Sequence, residues 1–256
     1  MLQIAAVRGL PEVRQGDDLP ALLVAALNAG GLELGTLRDG DVVVVASQTV
    51  STAAGRVVQL DHVTPSSLAH AWAAQSGKDP RIVEVVLGEA ARIVRMDRGV
   101  LIAQTHHGLT CADAGVDASA ASASGSVVLL PEDPDRAARE LRRRLVVLTG
   151  ADIATVISHP FGRPWRRGLT RVAIGAAGIS AVRRYAGAHD PAGYELRATE
   201  IALLDELTAC ADLAAGAHSC TPVVVLRGVE YARPVPGTAD PGAAALIRSA
   251  QTDMFR

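Results

Sequence analysis

The sequence predicts an α/β protein in which buried strands alternate with amphipathic helices. Continuous apolar runs at 41–45, 154–158 and 222–227 are typical of strands in a sheet that is covered on both faces. Apolar residues at helical spacing occupy 19–29 and 199–215. Because strands and helices alternate along the chain, the α/β class is favoured over all-α or all-β.

The composition sets limits on size, core and partners. A chain of 256 residues forms one large domain or two in close contact, and with 49% hydrophobic but 3% aromatic residues its core is aliphatic. A formal net charge of -2 disfavours nucleic acid and anionic membranes as partners. No apolar run reaches the roughly 18–20 residues that span a bilayer, and Arg8 and Glu12 interrupt the N-terminus, so we expect a cytoplasmic protein.

The first half of the chain is predicted to hold one buried strand among several helices. Asp18 is placed to cap the helix at 19–29, and Gly30 to end it. Residues 47–55 are rich in Ser, Thr and Ala, which is typical of a loop, either one that approaches a ligand or a plain turn. The other predicted elements of this half are a strand at 56–60 and helices at 66–76 and 80–91.

Polar segments follow two predicted strands of the second half. A strand at 100–105 runs into residues 106–117, and the strand at 154–158 runs into residues 159–168. Strand ends are where α/β proteins hold functional side chains. The other predicted elements are a Ser/Ala loop at 118–125, strands at 127–130 and 172–177, and a helix at 133–145.

Two clusters in the first half of the chain are candidate sites, each with an ordinary structural alternative. One is a turn that presents backbone amides to an anion or simply connects a strand to a loop. It comprises Gly9, Leu10, Pro11 and Glu12. The other has the ligand types of a Zn or Mn site, or is a solvated polar loop. It comprises His106, His107, Asp113 and Asp117.

A third candidate cluster lies at 159–167, where His159 and Trp165 accompany three arginines. Guanidinium groups bind carboxylates or phosphates through paired hydrogen bonds, so the cluster suits an anionic ligand. The alternative is a structural tryptophan beside an ion-paired surface. No phosphate-binding loop, dinucleotide fingerprint or nucleophile elbow is present, so spacing alone leaves the function open.

Several longer motifs, in order along the chain, resemble the coenzyme F420-0:gamma-glutamyl ligases. They are Gly9-Leu10-Pro11-Glu12, Gly16-Asp17-Asp18-Leu19, Lys78-Asp79-Pro80-Arg81, Ala114-Gly115-Val116-Asp117, Leu130-Pro131-Glu132-Asp133-Pro134 and Phe161-Gly162-Arg163-Pro164-Trp165-Arg166. The resemblance implies a two-domain α/β fold, with 1–89 and 189–256 as one domain and 90–188 as an inserted one. It also implies an intertwined homodimer, GTP, Mg or Mn, and addition of glutamate through an acyl-phosphate.

The sequence departs from the family pattern where that chemistry lies. The family's Ser-Lys-x-Val-Ser-Lys-x-Glu-Gly corresponds to residues 47–55, which lack both lysines and the glutamate. Its metal-binding Asp-Thr pair corresponds to His159-Pro160, and its Gln-Thr-Asp to residues 169–171. Two further polar positions are Ala120 and Ala217. Of the metal ligands only Asp117 remains, so binding of GTP with Mg is doubtful.

Three hypotheses follow from these motifs. The first is a divergent ligase that forms an amide between a small-molecule carboxylate and an amino acid or amine. In it, His159, Asp117 and Arg163 are catalytic, and Asp117 and His159 bind a divalent metal (Mg, Mn or another transition metal). Its expected nucleotide or substrate contacts are Gly9, Leu10, Pro11, Glu12, Gln48, Ser51 and Arg166. The alternatives are a nucleotide-independent enzyme that uses His159 with Asp117, and a non-catalytic binding homologue.

Overall fold

The computed structural model describes residues 1–119, 124–189, 191–196, 198–216, 221–235, 237 and 240–253. These residues form a mixed α/β fold, which confirms the predicted class. The helices are α1 (Leu19–Asn28), α2 (Ser47–Ala53), α3 (Ser67–Ser76), α4 (Pro80–Glu89), α5 (Pro134–Thr149) and α6 (Leu203–Ala215). The strands are β1 (Gln3–Ala6), β2 (Val42–Ala46), β3 (Val57–Gln59), β4 (Ala90–Asp97), β5 (Val100–Thr105), β6 (Thr110–Ala112), β7 (Ser126–Val128), β8 (Ala154–Arg163), β9 (Arg166–Ala177), β10 (Arg183–Arg184), β11 (Glu200–Ile201) and β12 (Val223–Arg227).

A five-stranded sheet of order β1-β12-β2-β8-β9 forms the centre of the molecule, and β2 and β8 are parallel in it. Val43 and Val45 of β2 pack with residues of α1 and α5 on one face. Val42 and Val44 pack with residues of α6 on the other. Because both faces are covered, β2 is apolar throughout, as its sequence predicts.

The predicted end of the strand at residue 158 is wrong. Strand β8 continues to Arg163 and pairs with β9 as a long antiparallel hairpin, with His159 opposite Val172 and Phe161 opposite Thr170. Its outer half is exposed, and Trp165 at the turn has a positive φ of 58°. Backbone pairing with β9 outweighs the turn preference of the glycine and prolines in this segment.

The loop predicted at 47–55 is also wrong over most of its length. Ser47–Ala53 form helix α2, which buries Val50 and Ser51. Gly55, with a φ of 74°, ends this segment and turns the chain toward β3. Small residues form a helix here because burial against the sheet stabilises a short helix whose intrinsic propensity is weak.

Smaller sheets and helices complete the fold. The sheet β4-β5-β6 packs on α3 and α4 around Trp72, Val83 and Leu101. The predicted helix at 80–91 ends at Glu89, where β4 begins, whereas the helix predicted at 133–145 extends to Thr149. The helix predicted at 199–215 begins at Leu203. None of the described helices is both long and apolar enough to cross a membrane.

The central sheet draws strands from both segments of the predicted two-domain division. Strands β2 and β12 belong to 1–89 and 189–256, whereas β8 and β9 belong to 90–188. The two segments therefore share one sheet. The division itself stays a prediction.

Candidate functional site

A cavity of about 340 Å³ opens where the parallel strands β2 and β8 end. In their register Ala46 pairs with Ser158, so the residues that follow, Ser47 and His159, are brought side by side. Side chains from four parts of the chain line this cavity, which we call the strand-end pocket. Its lining is Ala46, Ser47, Gln48, Cys111, Ala112, Asp113, Gly115, Val116, Asp117, Ser119, His159, Pro160, Phe161, Gly162, Leu169 and Arg171.

Ser47 and His159 are joined by a hydrogen bond in this pocket. The Ser47 hydroxyl oxygen lies 2.8 Å from His159 Nδ1, and the Ser47 residue is buried. The Phe161 ring contacts the imidazole edge-on, with centroids 5.6 Å apart. The ring is thus held from two sides, and its other nitrogen, Nε2, makes no hydrogen bond with the described residues.

Burial lowers the pKa of His159 from 6.5 to about 4, because the charged imidazolium loses hydration. The Asp117 carboxylate acts in the opposite direction and raises this pKa, while the Arg171 guanidinium lowers it further. The imidazole is therefore neutral at neutral pH. A neutral ring can accept a proton from one nitrogen while the other donates a hydrogen bond.

Asp117 is fixed to strand β7, beside the pocket, by backbone hydrogen bonds. Its backbone amide and carbonyl exchange hydrogen bonds of 2.8 and 3.0 Å with Val128. One carboxylate oxygen, Oδ1, accepts a hydrogen bond of 2.8 Å from the Ser119 amide. No cation pairs with this carboxylate in the described part of the chain, so it gives the pocket a negative charge.

Arg171 lies on β9, directly across from Pro160 of β8. Its Nε donates a hydrogen bond of 2.6 Å to Asp212 on α6, and its carbonyl accepts one of 3.0 Å from the Thr208 hydroxyl. The side chain is 27% exposed. Arg171 is thus a positioned cation in the wall of the pocket.

A left-handed turn forms another part of the pocket wall. Asp113, Ala114 and Gly115 have positive φ angles of 49°, 50° and 73°, which is unusual for the first two residues. Lys78, the single lysine of the chain, contacts both carboxylate oxygens of Asp113 at 2.6 and 2.7 Å. This ion pair holds a strained turn that leads directly to Asp117.

Comparison with known proteins agrees with the resemblance seen in the motifs. The family model described as F420-0:Gamma-glutamyl ligase matches residues 9–228. The chain belongs to this family. It is therefore a member of a family of ligases that form carbon–nitrogen bonds.

Similarity to individual relatives extends over the whole chain. A coenzyme F420:L-glutamate ligase of Methanothermobacter thermautotrophicus is 38% identical over 256 residues, which are 100% of this chain and 99% of the relative. The ligase of the same name from Methanopyrus kandleri is 44% identical over 248 residues, covering 96% and 94%. That of Methanocaldococcus jannaschii is 38% identical over 221 residues, covering 86% of each chain.

Three of the site residues expected from the family resemblance meet in the strand-end pocket: Gln48, Asp117 and His159. Ser51, within α2, is fully buried, and its hydroxyl has no partner among the described residues. The residues that lie elsewhere are Gly9, Leu10, Pro11 and Glu12, in a loop after β1, and Arg163 and Arg166, exposed at the hairpin turn. The roles predicted for all of these residues stay predictions.

The predicted histidine–carboxylate cluster at 106–117 does not assemble in the described part of the chain. His106 Nε2 lies 3.3 Å from the Gly88 carbonyl oxygen, and His107 Nε2 lies 2.9 Å from that of Pro131. Asp113 is paired with Lys78. Only Asp117 of this cluster remains open to a ligand in the pocket.

The donor set does not fit the divalent metal that the family implies. His159 and Asp117 share the pocket, but the described residues contain no group of three or more His, Cys, Asp or Glu side chains that could hold a metal ion. Mg prefers several oxygen ligands in octahedral geometry, whereas among the described residues the pocket offers one carboxylate without a cation, that of Asp117, beside the Arg171 guanidinium. Ala217 and residues 120–123 of the predicted Ser/Ala loop, which include Ala120, lie outside the described residues.

The pocket does not fit a triphosphate either. Its charged lining residues are two carboxylates, Asp113 and Asp117, and one guanidinium, that of Arg171. Triphosphates are bound by several cations or by a metal that offsets their charge. The lysines of the family motif are replaced by Gln48 and Thr52, which bring no charge.

Sequence reasoning missed the roles of Ser47 and Arg171 in the pocket. Ser47 belongs to a segment read as a loop, so its position directly after β2 was not connected with His159. For Arg171 the sequence shows a departure from the family pattern and leaves open whether it replaces a missing lysine. The available signal was strand pairing, since residues that end adjacent parallel strands lie next to each other.

Proposed function

We propose that this member of the F420-0:gamma-glutamyl ligase family joins a small-molecule carboxylate to the amino group of an amino acid, and that L-glutamate is the amine. The observation that carries the proposal is the match over 100% of this chain and 99% of a relative named coenzyme F420:L-glutamate ligase. Similarity of 38% over the full length supports a common fold for the two chains.

In the proposed reaction the acceptor enters as an acyl-phosphate, the intermediate that the family resemblance implies. The amine nitrogen attacks its carbonyl carbon, a carbon–nitrogen bond forms, the carbon–oxygen bond to the phosphate breaks and inorganic phosphate leaves. The amine must lose a proton as it attacks. Neutral His159 is the group that accepts it. In the tautomer with the proton on Nδ1, this nitrogen donates to the Ser47 hydroxyl oxygen, 2.8 Å away, and Nε2 is the base. Asp117 favours the imidazolium that then forms.

We further propose the homodimer and the two-domain division, 1–89 with 189–256 and 90–188, that the family resemblance implies. The outer hairpin exposes two large apolar side chains, Trp165 (85%) and Leu169 (71%). Exposed apolar surface on a projecting hairpin supports contact with a second copy. In such a dimer, Arg163 and Arg166 would meet the substrate from the hairpin turn.

The test is product formation by the purified full-length chain. The protein is incubated with coenzyme F420-0 and L-glutamate, with GTP, with ATP or with neither, in Mg, in Mn or in EDTA. Mass spectrometry then searches for the acceptor extended by one glutamyl residue. Product that depends on the protein supports the proposal, and none in any condition from a folded sample, with an active relative as positive control, contradicts it.

A second candidate is a nucleotide-independent enzyme on the same scaffold, which the hydrogen bond between Ser47 and His159 favours. A buried serine paired with a neutral imidazole resembles the nucleophile and base of acyl-transfer enzymes. Such an enzyme would take an ester or thioester of the acceptor, and its alcohol or thiol would leave. Turnover of an activated acceptor without nucleotide, absent in Ser47→Ala, would favour this candidate over the first.

A further inference from the structure

We propose that the strand-end pocket binds a free α-amino acid without a metal, with its carboxylate on Arg171 and its ammonium on Asp117. The inference rests on the proposed function, because it names the amine substrate of that reaction. The inference goes beyond the proposed function because it assigns the two residues that recognise the amine substrate. It also states that this substrate binds without a metal.

Arg171 has the geometry of a carboxylate receptor. Asp212 engages only Nε, at 2.6 Å, and neither terminal nitrogen of the guanidinium makes a hydrogen bond in the ranges that the structure describes. The backbone of Arg171 is fixed by its pairing with Pro160 in the sheet. A guanidinium anchored through Nε presents its two terminal nitrogens in one plane, and a carboxylate accepts from both.

Asp117 supplies the opposite charge on the same cavity. Its carboxylate accepts one backbone hydrogen bond, from Ser119, and pairs with no cation of the described chain. Asp113, the other acidic lining residue, is already neutralised by Lys78. Arg171 pairs with Asp212 through Nε alone, so its terminal nitrogens and the Asp117 carboxylate are the charged groups of the pocket left to bind a ligand, and together they match a zwitterion.

These charges discriminate between ligands. A divalent cation finds one unpaired carboxylate beside a guanidinium, and a triphosphate finds a single guanidinium, already paired with Asp212, beside that carboxylate. An α-amino acid has one charge of each sign and is small enough for a cavity of about 340 Å³. Phe161, Leu169 and Val116 line the remainder and keep the two charged contacts in a partly apolar setting, where they are stronger.

Isothermal titration of the full chain in EDTA, with L-glutamate and with glutarate, which lacks the amine, tests the proposal. Wild type binds L-glutamate. Arg171→Met weakens binding of both ligands at least tenfold, whereas Asp117→Asn weakens L-glutamate by that factor and leaves glutarate unchanged or tighter. Arg171→Lys retains part of the affinity, and circular dichroism establishes that each variant is folded.

The matched control is Arg184→Met. Arg184 also donates from Nε to one carboxylate, at 2.7 Å from Glu200, but lies outside the pocket, so its loss leaves both affinities unchanged. The proposal is overturned if wild type does not bind, if binding requires Mg or Mn, or if Arg171→Met binds like wild type. Binding as described without amide formation would contradict the proposed function alone.

Discussion

The Ser47 hydroxyl and His159 Nδ1, 2.8 Å apart, connect the ends of two parallel strands that are 112 residues apart in the chain. Ser47 begins α2, and His159 lies within β8. The bond exists because β2 and β8 are in parallel register, so that Ala46 lies opposite Ser158. The reactive face of the pocket is thus set by sheet topology.

Ser47→Ala should release the imidazole. The variant loses one partly buried hydrogen bond, and we expect its unfolding free energy to fall by about 1 kcal/mol. Nitrogen-15 NMR of the ring checks the chemical role. In wild type we expect the proton on Nδ1, and in Ser47→Ala a mixture of both tautomers. A wild-type ring protonated on Nε2 alone would contradict the role of Nε2 as the base that deprotonates the amine.

His159 should make the stability depend on pH between about 4 and 6.5. Its pKa is lowered to about 4 in the folded state, whereas the unfolded chain titrates near 6.5. The unfolded state therefore binds the proton first as the pH falls. Stability is complete above about 6.5 and decreases as the pH drops toward 4, by about 3 kcal/mol at most.

Urea titrations from pH 4 to 8 measure this dependence. His159→Gln removes the group, so its unfolding free energy should change less over this range than that of wild type. His70→Gln, at an exposed histidine on α3, is the control and should follow wild type. An equal pH slope in wild type and His159→Gln would show that the imidazole is not held neutral by burial.

Lys78 should hold the left-handed turn of the pocket. Lys78→Met leaves the Asp113 carboxylate without its cation, and because the pair is partly buried we expect a loss of about 1–2 kcal/mol. Hydrogen exchange at residues 113–117 should become faster. Acetylation of this single lysine should have the same effect and reductive methylation, which keeps the charge, should not. Unchanged hydrogen exchange at residues 113–117 in Lys78→Met would show that Lys78 does not hold the turn.

Arg227 should be a major stabilising residue of the central sheet. Asp41 is 1% exposed and is bound by Arg227 Nη2 at 2.7 Å, and the same guanidinium also donates to the carbonyls of Leu34 and Thr36. Arg227→Met leaves a buried carboxylate unpaired, which costs about 3–5 kcal/mol. Arg95→Met, from the exposed pair with Asp97, should change stability by less than about 1 kcal/mol. Equal urea midpoints in the two variants would contradict this ranking.

The sequence identified the elements that local pattern determines. Helix α1 follows from its Asp18 cap, which accepts from the Ala21 amide, and β2 from its apolar run. Helix α2 and the outer half of β8 escaped prediction because contacts distant in sequence stabilise them: packing on the sheet for α2, and pairing with β9 for β8. Local propensity does not contain these contacts.

The residues of the candidate site also fall into those that the sequence predicts and those that it does not. His159 and Asp117 were found because their residue types and strand-end positions indicate chemistry. Arg171 was not assigned to the pocket, since its role depends on a cross-strand partner, Pro160, and on an anchor 41 residues away, Asp212. The arrangement of charged groups in a pocket can be predicted only when the fold is known. Spacing along the sequence identifies candidate residues but not their positions relative to one another.

Amide formation from L-glutamate, measured for wild type, His159→Gln, Arg171→Met and Arg184→Met under identical conditions, decides whether the strand-end pocket is the active site. His159→Gln, which lacks the base, should lower kcat at least about 100-fold. Loss of Arg171 should raise KM for glutamate at least tenfold, and Arg184→Met should match wild type. Wild-type kinetics in both pocket variants would show that the reaction takes place elsewhere.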